Sequence, residues 1–188
     1  MIPIFQKIEG RRQFVKLFPI CFLVVILLIT PTAYGQVKEA SKNLKQQADK
    51  MVAALLNGDY AAFTGYTNPA LANAMGGTSK IAAILEKGVK DMQAQGFSFH
   101  HITLDEPSKI IESGAELQAT IAEHLEIKMA GGKLVNTSML IAFSSDNGNT
   151  WTFIDAADKD MVTLRKVLPN ISPAITIPIK RAPVFVKD

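Results

Sequence analysis

The sequence predicts an α+β domain in which leading helices pack on a curved antiparallel sheet. Apolar residues recur at helical spacing from Val37 to Met92, and from Phe97 onward they alternate with a period of two. Short segments rich in glycine and asparagine separate the alternating stretches, as the turns of antiparallel hairpins do. Helices that precede a run of strands are typical of folds in which the helices cover one face of the sheet.

Three helices are predicted ahead of the sheet. The first covers residues 37–59 and ends at Asn57-Gly58, a pair that tolerates a positive φ. The second covers residues 60–75, is capped by Asp59 and is interrupted at Asn68-Pro69, because the residue before a proline avoids helical geometry. The third begins at a Thr78 or Ser79 cap and ends near Gly96.

Five strands are predicted after the helices, at residues 97–104, 108–113, 115–129, 134–145 and 150–156. Tight turns at 130–133 and 146–149 join the longest of them. A short helix over 158–169, with Asp158 as its cap, follows the last strand. Residues 170–188 contain three prolines, which predict an extended tail that lies along the domain or is partly loose.

Residues 1–35 have the pattern of a secretory signal peptide. A basic segment precedes an apolar run over 17–30, and Ala33 and Gly35 are the small residues of a cleavage site before Gln36. The apolar run is shorter than the roughly 20 residues that a membrane-spanning helix needs. We therefore expect an exported protein, periplasmic or secreted. An uncleaved anchor is the alternative and would be its only link to a membrane.

Removal of this leader changes the charge and the cysteine content. The chain has 20 basic and 17 acidic side chains, of which the leader holds four and one, so 16 of each remain. A chain without excess positive charge does not favour nucleic-acid binding, which depends on phosphate neutralisation. The single cysteine, Cys21, also lies in the leader, so no disulfide or thiolate site is expected. No cofactor or metal site is predicted, because the adjacent His100 and His101 of a strand point to opposite faces.

The segment "MVAALLNGDYAAFTGYTNPAL" (51–71) combines the end of a long helix, a Gly-Asp turn and a short helix containing proline. Together with the long hairpin and "WTFIDA" (151–156), it resembles the NTF2-like superfamily, the cone-shaped fold of ketosteroid isomerase and scytalone dehydratase. The resemblance implies that residues 36–169 form one NTF2-like domain around a cavity. It also implies a possible homodimer through the sheet, although the outward positions of the third strand are polar.

The segment "SSDNGNTW" (144–151) matches the Asp-box, S-x-D-x-G-x-T-W, of sialidases. One copy without a repeated four-stranded blade does not predict a propeller. Asp, Asn and Gly are also the residues that a tight turn selects. We therefore predict a structural turn anchored by Trp151. A calcium site is the alternative, although the spacing of an EF-hand loop is absent.

Strand alternation places three ionisable residues on the predicted inner face: Glu123, His101 and Asp155. A carboxyl group in an apolar cavity has a raised pKa, which suits proton transfer near neutral pH. The same alternation and the short second helix predict an apolar ligand pocket, with Ile121 matched to Met139 and Phe143 across the hairpin. Its predicted lining is Tyr66, Phe97, Phe99, Ile121, Met139, Phe143, Trp151 and Phe153.

Two functions follow from these residues. The first is non-catalytic binding of a small apolar ligand or a protein partner. The second is an isomerase, dehydratase or hydrolase that uses Glu123 as base with His101 as its partner. A β-bulge would move every residue after it to the other face of the sheet and would separate Glu123 from His101.

Overall fold

The computed structural model describes residues 32–157, 160–178 and 182–188. The predicted leader, apart from residues 32–35, lies outside the described residues, and so does the predicted helix cap Asp158. The chain divides into two compact units. Val37–Asp188 is the second unit and carries the sheet. Of the first unit, Met1–Gln36, only the beginning of a helix is described.

The described residues contain both helices and an antiparallel sheet, which confirms the α+β class. The helices are α1 (Thr32–Leu56), α2 (Tyr60–Gly65), α3 (Pro69–Ala74), α4 (Thr78–Ala94) and α5 (Met161–Val167). The strands are β1 (Ser98–Leu104), β2 (Ile111–Ser113), β3 (Glu116–Met129), β4 (Gly132–Ser144), β5 (Thr152–Asp155) and β6 (Val184–Lys187). None of the helices in these ranges has the length and apolarity that a membrane crossing requires.

Side-chain caps place the short helices where the sequence predicts them. Asp59 accepts a hydrogen bond from the Ala62 amide at 3.0 Å and starts α2, and Asn68 does the same for the Ala70 amide and starts α3. The predicted cap of α4 is wrong. Gly77, with φ +98°, occupies the cap position, and because glycine has no side chain it makes no side-chain cap bond.

The sheet is built around the long β3–β4 hairpin, which pairs without a break from Leu117 opposite Ser144 to Met129 opposite Gly132. β1 and β2 share the outer edge of β3. β5 and β6 share the outer edge of β4. β6, formed by the end of the chain, is a strand that the sequence pattern did not predict.

One face of the sheet packs against α1 and is called the α1 face. It carries Ala119, Ile121, Leu140, Ala142 and Phe153, which form a core with buried residues of the helix. The helix contributes Ala40, Leu44, Ala48 and Met51, four residues at helical spacing. This is the packing that the amphipathic pattern of the first helix predicts.

The opposite face is covered by α5 and the chain that follows it, and is called the tail face. Its sheet residues Ile141, Phe143 and Ile154 form a second core with Leu164 and Leu168 of the α5 segment. Ile171 and Ile175 of the tail complete this core and are almost fully buried. The sheet is therefore covered on both faces, and the tail is part of the packing.

Candidate functional site

A β-bulge in β1 separates the residues that were predicted to act together. Phe99 lies opposite Ile127, but the register then shifts, so that His101 lies opposite Glu126. Directly opposed residues of an antiparallel pair point to the same face. His101 is therefore exposed on the tail face, and Glu123 lies on the α1 face. The prediction that His101 shares a face with Glu123 is wrong, because the bulge adds one residue to the strand.

Glu123 is a half-buried carboxyl group on the α1 face, opposite Ser138. The Ser138 hydroxyl donates a hydrogen bond to Glu123 Oε2 at 2.9 Å. Burial raises the pKa of Glu123, and the charge of Asp155 adds to the rise, whereas the Ser138 hydrogen bond and His124 oppose it. The raised pKa is the property that a general base or acid near neutral pH requires.

Asp155 lies on the same face as Glu123, because it pairs with Leu140 while Glu123 pairs with Ser138, two residues away on β4. Its side chain is more exposed and accepts a hydrogen bond from the Ala157 amide at 2.8 Å. The structure thus places Glu123 and Asp155 on the same face of the sheet, and His101 on the opposite face.

The predicted pocket lining is divided between the two faces of the sheet. Ile121 lies opposite Leu140, whereas Met139 and Phe143 are opposite Ala122 and Gln118 and point to the tail face. The predicted matching of Ile121 with Met139 and Phe143 is wrong, because alternation within each strand does not determine the register between them.

The predicted lining residues on the α1 face are packed against their neighbours. Ile121, Trp151 and Phe153 are almost completely buried in the first core. Tyr66 packs against it with its ring centroid 6.4 Å from that of Phe153. Phe97 and Phe99 are half-buried near the start of β1. None of these six residues lines either of the two cavities described below.

The Asp-box segment forms a turn that is closed by its own side chains. Asp146 accepts hydrogen bonds from the Thr150 amide at 2.9 Å and hydroxyl at 2.7 Å, and from the Ser144 hydroxyl at 2.8 Å. These bonds lower the pKa of Asp146, those from Thr150 most of all. Trp151 is 1% exposed and donates its ring N–H to the Gly148 carbonyl at 3.1 Å. The prediction that Trp151 anchors a structural turn is confirmed.

A fully buried glutamine binds the tail to the sheet. Gln118 is 0% exposed, and its Nε2 donates to the Asn170 carbonyl at 2.9 Å while its Oε1 accepts from the Ser172 amide at 2.9 Å. Ser113 donates to the same Asn170 carbonyl at 3.1 Å. The Asn170 side-chain amide donates to Glu116 Oε2, which also accepts a longer bond of 3.4 Å from Gln118. Buried polar groups are thus satisfied by the backbone of the tail.

Next to this attachment lies a cleft of about 340 Å³, called the tail cleft. Phe143 and Leu168 are its most deeply buried apolar lining. Its other walls are the start of α3 (68–70), the segment 167–170, Glu116 and the hydroxyls of Ser145, Thr150 and Thr152. Half of its twelve lining residues are polar, so the cleft suits an amphipathic molecule better than a purely apolar one, and its volume is near the lower end of the range for small-molecule sites.

The sequence did not predict the tail cleft, because the prediction of an extended tail identified no tail residue that packs on the sheet. One signal was available in the alternating apolar residues Ile171, Ile175 and Ile177, which are unusual in a solvated tail. The pairing of Gln118 with the tail had no comparable signal, since the two are about fifty residues apart in the chain.

A second cavity of about 340 Å³ lies along the exposed side of α1, lined by Lys38, Ser41, Lys42, Lys45, Gln46 and Glu106. Its positive charge is largely balanced by neighbouring carboxylates. Lys45 pairs with Asp49 at 2.6 Å and Lys42 lies 3.7 Å from Glu39. Such exposed pairs contribute little to stability and leave little net charge for an anionic ligand.

A third arrangement lies on the uncovered part of the tail face. His124 Nε2 is 3.0 Å from Asp105 Oδ1, and its Nδ1 is 3.2 Å from the Thr137 hydroxyl. The order of carboxylate, imidazole and hydroxyl could activate a nucleophile. However, the side chains of His124 and Asp105 are 40% and 59% exposed, and neither described cavity includes them. Within the described ranges no group of three or more His, Cys, Asp and Glu side chains is arranged to hold a metal ion.

Fold and site together define an α+β protein with a six-stranded antiparallel sheet between an N-terminal helix and a docked C-terminal tail. No protein-family model matches the sequence, and no curated protein matches it significantly.

Proposed function

We propose that this chain is an exported, NTF2-like protein that binds a small amphipathic molecule in the tail cleft without catalysis. The order of helices and strands supports the NTF2-like assignment, and the basic and apolar segments of residues 1–35 support export. The observation that carries the proposal is the cleft itself, in which the exposed Pro69, Val167 and Pro169 offer apolar surface beside one carboxylate and three hydroxyls. The site thus differs from the cone interior first expected.

The test is an NMR titration of the ¹⁵N-labelled protein with 2-phenylethanol, an amphipathic probe of suitable size. We expect amide shifts at the non-proline residues of 68–70, 143–145, 150–152 and 167–170, because proline has no amide N–H. Ala70→Trp should abolish them, because Ala70 is exposed and lines the cleft. Ala74→Trp, at an exposed position of α3 outside the lining, is the matched control. Shifts that are absent, or that persist in Ala70→Trp, would refute the cleft as the site.

An enzyme is the second candidate, and Glu123 is the observation that favours it. Its carboxyl group is half-buried and accepts a hydrogen bond from Ser138, and its pKa is raised by burial and by the charge of Asp155. Such a group is suited to abstract a proton. Without His101 on the same face, Asp155 is the remaining ionisable partner. If a turnover assay is found, Glu123→Gln should lower kcat by at least about a hundredfold. Unchanged turnover would exclude this role.

Binding of a protein partner is an alternative to binding of a small molecule. Val184 and Phe185 of β6 are 61% and 50% exposed, and β6 pairs with β4 on one side. Exposed edge strands can pair with another chain. Native mass spectrometry of the purified protein would give the subunit count and any retained small molecule in one measurement.

A further inference from the structure

We propose that the tail cleft selects a ligand with one primary ammonium group on an apolar body. This inference rests on the proposed function and adds the chemical class of the ligand. Its first support is charge. Glu116 is the one ionisable side chain among the lining residues, and no Lys, Arg or His accompanies it. A cation entering the cleft meets an anion, and an anionic ligand meets a like charge.

The orientation of Glu116 supports the same conclusion. Both of its described hydrogen bonds, from Asn170 and Gln118, use Oε2. The described contacts therefore hold the carboxylate in place and leave Oε1 for a ligand. Because Gln118 is fully buried and is itself fixed by the tail, the carboxylate is held before any ligand binds. Preorganised groups lose less entropy on binding.

Two of the three cleft hydroxyls, those of Thr150 and Thr152, are presented as acceptors. The Thr150 hydroxyl donates its proton to Asp146 Oδ2 at 2.7 Å, and the Thr152 hydroxyl donates to the Phe143 carbonyl at 3.5 Å. Each oxygen keeps lone pairs but has no second proton. Together with Glu116 Oε1, they form three acceptors, which is the number that the three N–H donors of a primary ammonium require.

The apolar part of the cleft determines the rest of the ligand. The exposed Pro69, Val167 and Pro169 line the space beside the acceptors, together with the buried Phe143 and Leu168. An aromatic or short alkyl group would bury apolar surface there. A cleft of about 340 Å³ admits a body of that size and excludes a large polycyclic one.

The experiment compares three probes with one body and different heads: phenethylamine, 2-phenylethanol and 3-phenylpropionate, titrated by NMR near pH 7. We expect the amine to bind at least about tenfold more tightly than the alcohol, because hydrogen bonds to a charged group are the stronger ones. The propionate should bind most weakly. Glu116→Gln should bring the amine to the affinity of the alcohol, and Glu112→Gln, on β2 outside the cleft, should leave the preference unchanged.

Glu116 also contacts the tail, so Glu116→Gln could disturb the fold as well as the ligand site. A second variant, away from this contact, therefore tests the same inference. Thr152→Val keeps the shape of the strand and removes one acceptor, and we expect it to lower the amine preference by about threefold. Equal affinities of amine and alcohol in the unaltered protein would overturn the inference and leave the proposed function standing. No cleft shifts with any probe would refute both. A preference that survives both Glu116→Gln and Thr152→Val would exclude these groups as its source.

Discussion

At the scale of single residues, two glutamines take the place of backbone pairing. Gln118 binds the carbonyl of Asn170 and the amide of Ser172, and Gln47 of α1 binds the carbonyl of Asn149 and the amide of Trp151, at 2.9 Å in each case. A primary amide carries a donor and an acceptor side by side, which matches a carbonyl and an amide two residues apart. These side chains fix the tail and the Asp-box turn where strand pairing is missing.

Glu123 is the residue whose protonation is linked to folding. Its pKa in the folded protein is raised, mainly by burial, above that of the unfolded chain. The folded state therefore holds the proton more tightly. The stabilisation is fully present at acid pH and is lost as the pH rises from the unfolded pKa through the folded one.

We predict that Glu123→Gln becomes progressively more stable than the unaltered protein as the pH rises above the ordinary pKa of a glutamate, because the pKa of Glu123 is raised in the folded protein. The neutral amide can still accept from Ser138 but has no charge to desolvate. Urea unfolding at several pH values measures the difference in the free energy of unfolding, with Glu112→Gln as the control for loss of an exposed carboxylate. A difference that does not change with pH, or that falls, would contradict this account of Glu123.

At the scale of elements, the Asp-box turn packs in close contact with α1. Gly148 has φ +86°, and a Cβ at this position would lie 2.3 Å from the Ala40 Cβ and 3.0 Å from its Cα. Asn43 of α1 donates to the Gly148 carbonyl at 3.2 Å. Glycine is required both for its backbone conformation and for the approach of the helix.

We predict that Gly148→Ala destabilises the protein more than Gly131→Ala does. Gly131 also has a positive φ, of +79°, but a Cβ there would meet no atom within 4 Å. Gly131→Ala should therefore cost only the backbone strain of about 1–2 kcal/mol. Gly148→Ala adds overpacking of about 1–3 kcal/mol. Thermal or urea unfolding compares the two, and Ala40→Gly should recover part of the larger loss. Equal losses of stability in the two variants would mean that α1 moves away and accommodates the extra methyl group.

At the scale of the whole molecule, the tail converts a sheet covered on one face into one covered on both. Ile171 and Ile175 lie in the second core, and the buried Gln118 depends on the tail backbone for its partners. The end of the tail contributes less to the buried core, because the side chains of β6 are exposed.

We predict different consequences for two truncations. Deletion of residues 170–188 should cost about 3–6 kcal/mol from the two isoleucines alone and should expose the tail face to a hydrophobic dye. Deletion of residues 179–188 keeps both isoleucines and should cost clearly less. The measurements are urea unfolding and ANS fluorescence. Similar losses for the two deletions would show that the stabilisation comes from β6 instead.

The sequence by itself determined the α+β class, the breaks at Asn57-Gly58 and Asn68-Pro69 and the anchoring of the turn by Trp151. These features depend on short-range periodicity, caps and turn residues, which neighbouring residues specify. It also placed Glu123 and Asp155 on one face, because each has the same parity in its strand as an apolar residue of the first core, Ile121 and Phe153 respectively.

Only the tertiary structure decided the register of β3 against β4, the bulge before His101 and the docking of the tail. Each of these is a pairing between segments distant in the chain. A shift of a single residue moves a whole strand to the opposite face without changing its local pattern. For the same reason the tail cleft, formed by segments from four parts of the chain, has no counterpart in any one stretch of sequence.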